Sequence, residues 1–256
     1  MAGKIVVSGS RYMGQLKKQL LRYLRVCAAE ATGGRYTLLT CVADRRVGRA
    51  RLKRRIAAVV AKLVVQRWEE GLLENMVAHD CPELNADERR LIVQRVRRHR
   101  GARKLRQELV RQRAEEVLET HNGIVIDGFV RFRLHDYLEG LRAAAYEALN
   151  DYLLEKEYHQ FIRLLRSFVE VRQGSCRLIH VVCRADGRFQ LLDRQKQTIG
   201  AGATQAFLED EAGDDEILIS TLVALAPREV VLHRRTGYER PAWRIIGEVF
   251  RGRLRE

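Results

Sequence analysis

Apolar spacing changes period twice along this chain, and that constrains its fold more than any other feature. From about Ala50 to Ala78, and in further helical stretches that reach Val171, apolar side chains recur every three to four residues, the repeat of helices with one buried stripe. On either side the apolar runs are short and alternate or extend, as strands do. Lys4–Val7 and Tyr36–Ala43 read as strands. Between them, Leu16, Leu20, Leu24 and Cys27 predict a helix from Tyr12 to Glu30, stopped by Gly33-Gly34. Near the other end, Leu178–Arg184 and Arg188–Asp193 flank Ala185-Asp186-Gly187 as a hairpin. Asp214–Ala224 reads as a helix with acids at its start, where the macrodipole favours them. Glu229–His233 reads as a strand and Trp243–Phe250 as a last helix. The expectation is α+β: a small mixed sheet built from N- and C-terminal strands, with a long-helix middle region. The segments are 1–48, 49–172 and 173–256, and they can still integrate into one domain.

The middle carries its own punctuation. A stripe through Val59, Val60, Leu63, Val64, Leu72, Leu73, Met76 and Val77 ends at Cys81-Pro82. Asn85 followed by Glu88 is a capping-box pattern opening a helix to about Thr120. Its apolar stripe fails at Arg97-Arg98-His99-Arg100-Gly101. Asn122-Gly123 marks a turn, and Ile124–Ile126 a brief extended piece. Helix follows from about Phe129 to Val171, with Glu155 as the place for a break. Phe129, Phe132 and Leu134 are expected to be buried, with Arg131 and Arg133 on acids or helix carbonyls. The stripe from Tyr137 and Leu141 through Phe161, Leu164 and Phe168 reads as core.

Composition narrows the class. With 46% hydrophobic and 31% charged residues over 256 positions, disorder, collagen and rod-like coiled coils are excluded. The longest uncharged apolar run, near Ile217–Pro227, is about half a membrane span. Five widely spread cysteines form no disulfide framework, so a reducing, cytoplasmic setting is expected. The formal net charge is +14, and all of it lies in the first half. Residues 1–120 hold 27 Lys plus Arg against 13 acids, whereas 121–256 hold 20 of each. One basic cluster is Arg45, Arg46, Arg49, Arg51, Lys53, Arg54 and Arg55. Another, Arg89–Arg113, has eleven cations and one acid, Glu108. Arg89, Arg90, Arg97, Arg98, Arg100, Arg103 and Lys104 are therefore the candidate nucleic-acid contacts, since phosphate contacts release counterions. Two facts weigh against them. Arginine outnumbers lysine 39 to 8 throughout, a compositional habit, and no base-stacking aromatics interleave this run.

Catalytic patterns fail one by one. Gly200-Ala201-Gly202 lacks the third glycine of a dinucleotide loop, and no Walker pattern exists. Ser8-Gly9-Ser10 between strand and helix can hold a phosphate, but serine more often caps such a helix. No CxxC or HExxH supports a metal; Cys176 and Cys183 can approach each other at the hairpin edge, but buried free thiols explain them as well. His135-Asp136 is the doublet of some metal phosphohydrolases, with His99 and Asp151 as the available companions. A helical turn with an acid at its start is the plainer account. No cofactor and no metal are expected.

Three blocks carry a resemblance. Ile126-Asp127-Gly128-Phe129-Val130-Arg131-Phe132-Arg133-Leu134 with Asp136-Tyr137 is the first. Tyr152-Leu153, Glu155–Tyr158 and Phe161–Arg166 with Phe168-Val169 form the second. Leu218–Leu222, Ala226-Pro227-Arg228 and the strand ending at His233 are the third. In order and spacing they resemble the YtxC-like family, connected with sporulation by name. The resemblance spans about 124–233 and leaves out the basic clusters. It implies a cytosolic protein of endospore-forming bacteria and carries over no catalytic residue. The reading is thus a protein that binds an unknown protein partner, with enzymatic activity disfavoured. Nucleic-acid or anionic-polymer binding through the basic half is the alternative. A phosphate-acting enzyme using His135, Asp136 and Asp127 is the second alternative.

Overall fold

The fold was read from a computed structural model, which describes residues 4–24, 28–42, 48–172, 174, 176–184, 188–199, 213–233 and 240–255. Cys27, Arg45, Arg46, the Ala185–Gly187 turn and Gly200-Ala201-Gly202 lie outside these residues. The chain divides into two compact units, 1–152 and 153–256, with the boundary inside one long helix. Among the described residues no helix is long and apolar enough to cross a membrane.

In the first unit, β1 (Lys4–Gly9) pairs antiparallel with β3 (Tyr36–Val42). β3 in turn pairs with β2 (Ala28–Gly33), and β1 pairs in parallel with β4 (Gly123–Val125). The order is β2-β3-β1-β4. Burial alternates along β1, placing Ile5 and Val7 in the core with Leu39, Cys41 and Ile124. The first helix, α1 (Met13–Leu24), is shorter than its sequence pattern. Ala28–Gly33 is strand, and Gly34-Arg35 is the hairpin turn that follows it, so Gly33-Gly34 is not a helix stop. Gly34 supplies the positive φ (60°) that such a tight turn needs.

The long helical stripe forms α2 (Arg49–Leu63) and α3 (Glu69–Asp80), joined without a break by a π-helical turn, Val64–Trp68. Then α4 (Ala86–Arg98) opens on a capping box: Asn85 accepts from the Asp87 and Glu88 amides, and Glu88 accepts from the Asn85 amide. The stripe failure at Arg97–Gly101 is a chain break. His99, with ψ of 90°, separates α4 from α5 (Arg100–Thr120).

After β4 come α6 (Ile126–Arg133) and α7 (His135–Val171). The interruption falls at Leu134, not at Glu155, through which α7 runs unbroken. Phe129 and Leu134 are buried, but Phe132 is 71% exposed, with the Arg131 guanidinium 5.4 Å from its ring centre. On an eight-residue helix Phe129 and Val130 already occupy the inward face, so Phe132 points away from it. Arg131 and Arg133 have no acidic partner among the described residues.

In the second unit β5 (Leu178–Cys183) pairs antiparallel with β6 (Phe189–Leu192) and parallel with β7 (Glu229–His233). β8 (Leu254–Arg255) extends the β7 edge in parallel, giving the order β6-β5-β7-β8. Helices α8 (Asp214–Leu225) and α9 (Pro241–Val249) and the end of α7 supply the core against one sheet face. Ile162, Val169, Leu222, Trp243 and Ile246 meet Ile179, Val181 and Val230 there.

The α+β class and long helical middle stand, but the single sheet shared by both ends does not. The strands form two sheets of four. Each end finds its missing partner within its own unit: β4, too short to signal a strand strongly, docks on β1, and the two-residue β8 docks on β7.

Two substitutions test this packing. Phe129→Ala, at a buried site, is expected to cost about 3–5 kcal/mol, whereas Phe132→Ala should stay within about 0.5 kcal/mol. Urea denaturation of both variants measures the difference. Equal losses would mean that Phe132 is packed after all.

Candidate functional site

The candidate cations sit on α4 and α5, and most of them are engaged. Arg89 donates to the Pro82 carbonyl at 2.9 Å, which anchors the loop before α4. Arg90 lies 3.5 Å from Asp87 one turn earlier. Arg97 pairs with Glu70 at 2.7 Å and also reaches the Gln66 carbonyl. Arg98 donates to the Gln94 side chain at 3.4 Å and has no acidic partner among the described residues. Arg103 and Lys104 have no acidic partner among the described residues. The Arg100 side chain lies outside the described residues. Further along α5, Arg111 is held between Glu108 and Glu115, and Arg113 between Glu116 and Asp136. These contacts raise the pKa of Arg111 and lower that of Glu108, because each stabilises the charged form of the other.

The α4–α5 break opens a cleft of about 480 Å³, walled by Arg95, Arg98, His99 and Arg106 on one side and Glu147 and Asp151 on the other. Ala102, Ala144 and Ala148 make the room. Guanidinium groups facing carboxylates suit a zwitterionic or mixed-charge group. A bare polyanion would meet two like charges there.

Arg106 also belongs to a polar centre that the sequence does not announce. Glu69 is completely buried, the sole charged or polar side chain so placed among the described residues. Its carboxylate accepts Arg106 Nε at 3.0 Å and Nη2 at 2.9 Å, a bidentate fork, and the Tyr137 hydroxyl at 3.0 Å. Three helices, α3, α5 and α7, thus meet on one carboxylate. Burial first, and the Glu69 charge second, push the Tyr137 pKa far above its usual value. The π-helical turn immediately before Glu69 is the cause of its placement. One extra residue per turn shifts the phase of the stripe and rotates Glu69 inward. Neighbouring Trp68 lies edge-on to Tyr12, with Arg11 above its ring.

The remaining candidates are dispersed. His135 pairs with Glu139 at 3.1 Å and Asp136 with Arg113, while His99 and Asp151 line the separate cleft at the helix break. Among the described residues no three His, Cys, Asp or Glu side chains gather as a metal site. The Ser8-Gly9-Ser10 turn already holds an anion. Asp127 accepts the Ser10 amide at 2.8 Å and the Ser10 hydroxyl, occupying the place a phosphate would take. Arg49 donates to the Asn122 side chain, and Lys53 to the Glu119 carbonyl at 3.2 Å, so part of the first basic cluster pins the β4 approach. In the second unit His180 and His233, on neighbouring parallel strands, touch through ring nitrogens 3.0 Å apart.

Comparison with known proteins bears on this arrangement. The description of the YtxC-like family matches residues 54–255. "Uncharacterized protein YtxC" of Bacillus subtilis (strain 168) is 33% identical over 115 residues, which is 42% of this chain and 39% of that protein. The match therefore spans well under half the length of that relative. No solved structure matches the chain.

The polar centre has a defined pH signature. In the unfolded chain Tyr137 ionises near 10, while the folded chain keeps it protonated to higher pH. The folded state therefore holds more protons above pH 10, and its stability falls as pH rises past that point, by up to about 1.4 kcal/mol per unit. Below pH 10 the contribution is fully present. Between pH 8 and 11, Tyr137→Phe should lose about 1 kcal/mol less than the unsubstituted chain, followed by urea midpoints. Arg106→Ala, which strands the Glu69 charge, should cost about 3–5 kcal/mol at neutral pH.

Proposed function

Because the chain belongs to the YtxC-like family, we propose that it is a sporulation-associated protein that acts by binding a partner rather than by catalysing a reaction. The sporulation part rests on the three resembling blocks, within 126–169 and 218–233, since the family is connected with sporulation by name. The binding part rests on one observation. Glu69, the carboxylate whose burial would best suit acid–base chemistry, is saturated by Arg106 and Tyr137 inside the helix packing. Asp127 and Asp136 are likewise engaged, with Ser10 and Arg113. Carboxylates so employed position helices and turns and are not left open for a substrate.

A second reading has its own support. Arg98, Arg103 and Lys104 lie about the α4–α5 break with no carboxylate partner among the described residues, so a phosphate-bearing polymer has cations to engage there, although the cleft beside Arg98 also carries Glu147 and Asp151.

Disruption of the gene in an endospore-forming host, scored by heat-resistant spore counts, tests the first reading. Spore yield should fall, and the unsubstituted gene should restore it. A His135→Ala, Asp136→Asn variant should restore it equally. Unchanged yield on disruption removes the sporulation part. Failure of that variant to complement, despite normal folding and accumulation, removes the binding part. For the polyanion reading, three or so phosphate contacts predict a log–log salt slope near −2.7 on duplex DNA. Charge reversal at Arg98, Arg103 and Lys104 should abolish that binding. Absence of salt-sensitive binding to random duplex at low salt sinks this second reading.

A further inference from the structure

Among the described residues, the second unit leaves an apolar seam open. Along α7, Phe161, Leu164, Phe168 and Val171 are 49%, 55%, 55% and 83% exposed. The sequence reading of Phe161, Leu164 and Phe168 as core is thus overturned: the core side of this stretch is carried by Ile162 and Val169. Intervals of three, four and three residues are the a/d repeat of a helix that packs on another helix, and Leu154, also exposed, continues it one heptad earlier. The repeat from 154 to 171 is about 27 Å long. Isolated exposed apolar residues are ordinary, but a phased row of large ones is not.

Beside this ridge runs a groove of about 740 Å³ between α7 and α8, with Leu165, Ile219 and Val223 among its lining. The two ends of the groove differ in charge. Arg172 closes one end, donating to the Ala224 carbonyl at 2.8 Å near the end of α8. Glu216, in the first turn of α8, lies at the other. Along the seam Glu157, beside Lys156, lies towards the start, and Arg172, two residues after Glu170, lies beyond the end.

We infer that this ridge and groove form a two-fold interface between two copies of the chain, with their α7 segments antiparallel. A two-fold axis uses one patch twice, so each copy must present both a projection and a matching recess, as this face does. Antiparallel pairing sets the Glu157 and Glu216 end of one copy beside the Arg172 end of the other. Parallel pairing would bring like charges together. This inference is independent of the sporulation reading and of the basic helices.

Sedimentation velocity of the full chain, from about 1 to 100 µM, together with cysteine cross-linking, tests it. A dimer is expected. Phe168→Asp, at a half-exposed site, should keep the circular dichroism of the folded chain and weaken dimerisation by about thirty-fold or more. Leu164 sits near the middle of the seam, so Leu164→Cys should form a disulfide-linked dimer on mild oxidation beyond that of the unsubstituted chain. A monomer at 100 µM overturns the proposal and leaves the face to a different occupant. A dimer indifferent to Phe168→Asp overturns the interface. A sensitive dimer without Leu164→Cys cross-linking overturns the antiparallel arrangement.

Discussion

The first unit depends on a single buried carboxylate. Glu69 gathers Arg106 and Tyr137 from two other helices and lies just past a π-helical turn in its own. A bidentate guanidinium and a phenol satisfy it, so burial of the charge is tolerated. The directional demands of three hydrogen bonds fix how α3, α5 and α7 rotate about their axes, which apolar contact alone specifies loosely. The same contacts draw Arg106 out of the basic run and into the fold, although the cleft at the α4–α5 break still touches its side chain.

Charge in this protein is therefore a poor guide to its surface. Arg97, Arg106, Arg111 and Arg113 belong to the dense cationic run, yet each faces a carboxylate. Glu69 and Glu70 come from more than twenty-five residues upstream and Asp136 from more than twenty downstream, so a window along the chain counts the cations without their partners. Arg98, Arg103 and Lys104 remain outside this pairing, at the one place where the helix is interrupted. The apolar face of the second unit is the converse case. Its row of large side chains looks like core in sequence, because amphipathic spacing is the same whether the partner helix is in the chain or beyond it.

Backbone constraints also decide local shape in both units. Gly123 sits where any Cβ would come within 2.7 Å of the Val6 carbonyl oxygen, so the close β1–β4 pairing requires glycine. Gly174 lies against the Ala226 carbonyl, and Ala226 adopts a left-handed conformation (φ 42°) to end α8 before Pro227. Neither requirement involves a functional group, yet each fixes the direction in which a strand leaves.

Local signals determined much of this protein. The capping box at Asn85, the acids opening α8, the short apolar run of β1, the alternation of β5, and the three blocks of family resemblance are all legible, because each is set by residues a few positions apart. The failing stripe at Arg97–Gly101 lies over the break at His99, although spacing alone read one helix through it. Only tertiary structure decided the rest. Strand partnership is a long-range choice, so the two separate sheets, and the conversion of Ala28–Gly33 from helix pattern to strand, depend on pairing energy that no short window contains. The inward turn of Glu69 required a π-helical phase shift, which apolar spacing cannot register. The exposure of Phe132 and Phe168 was decided by which side of their helices found a partner.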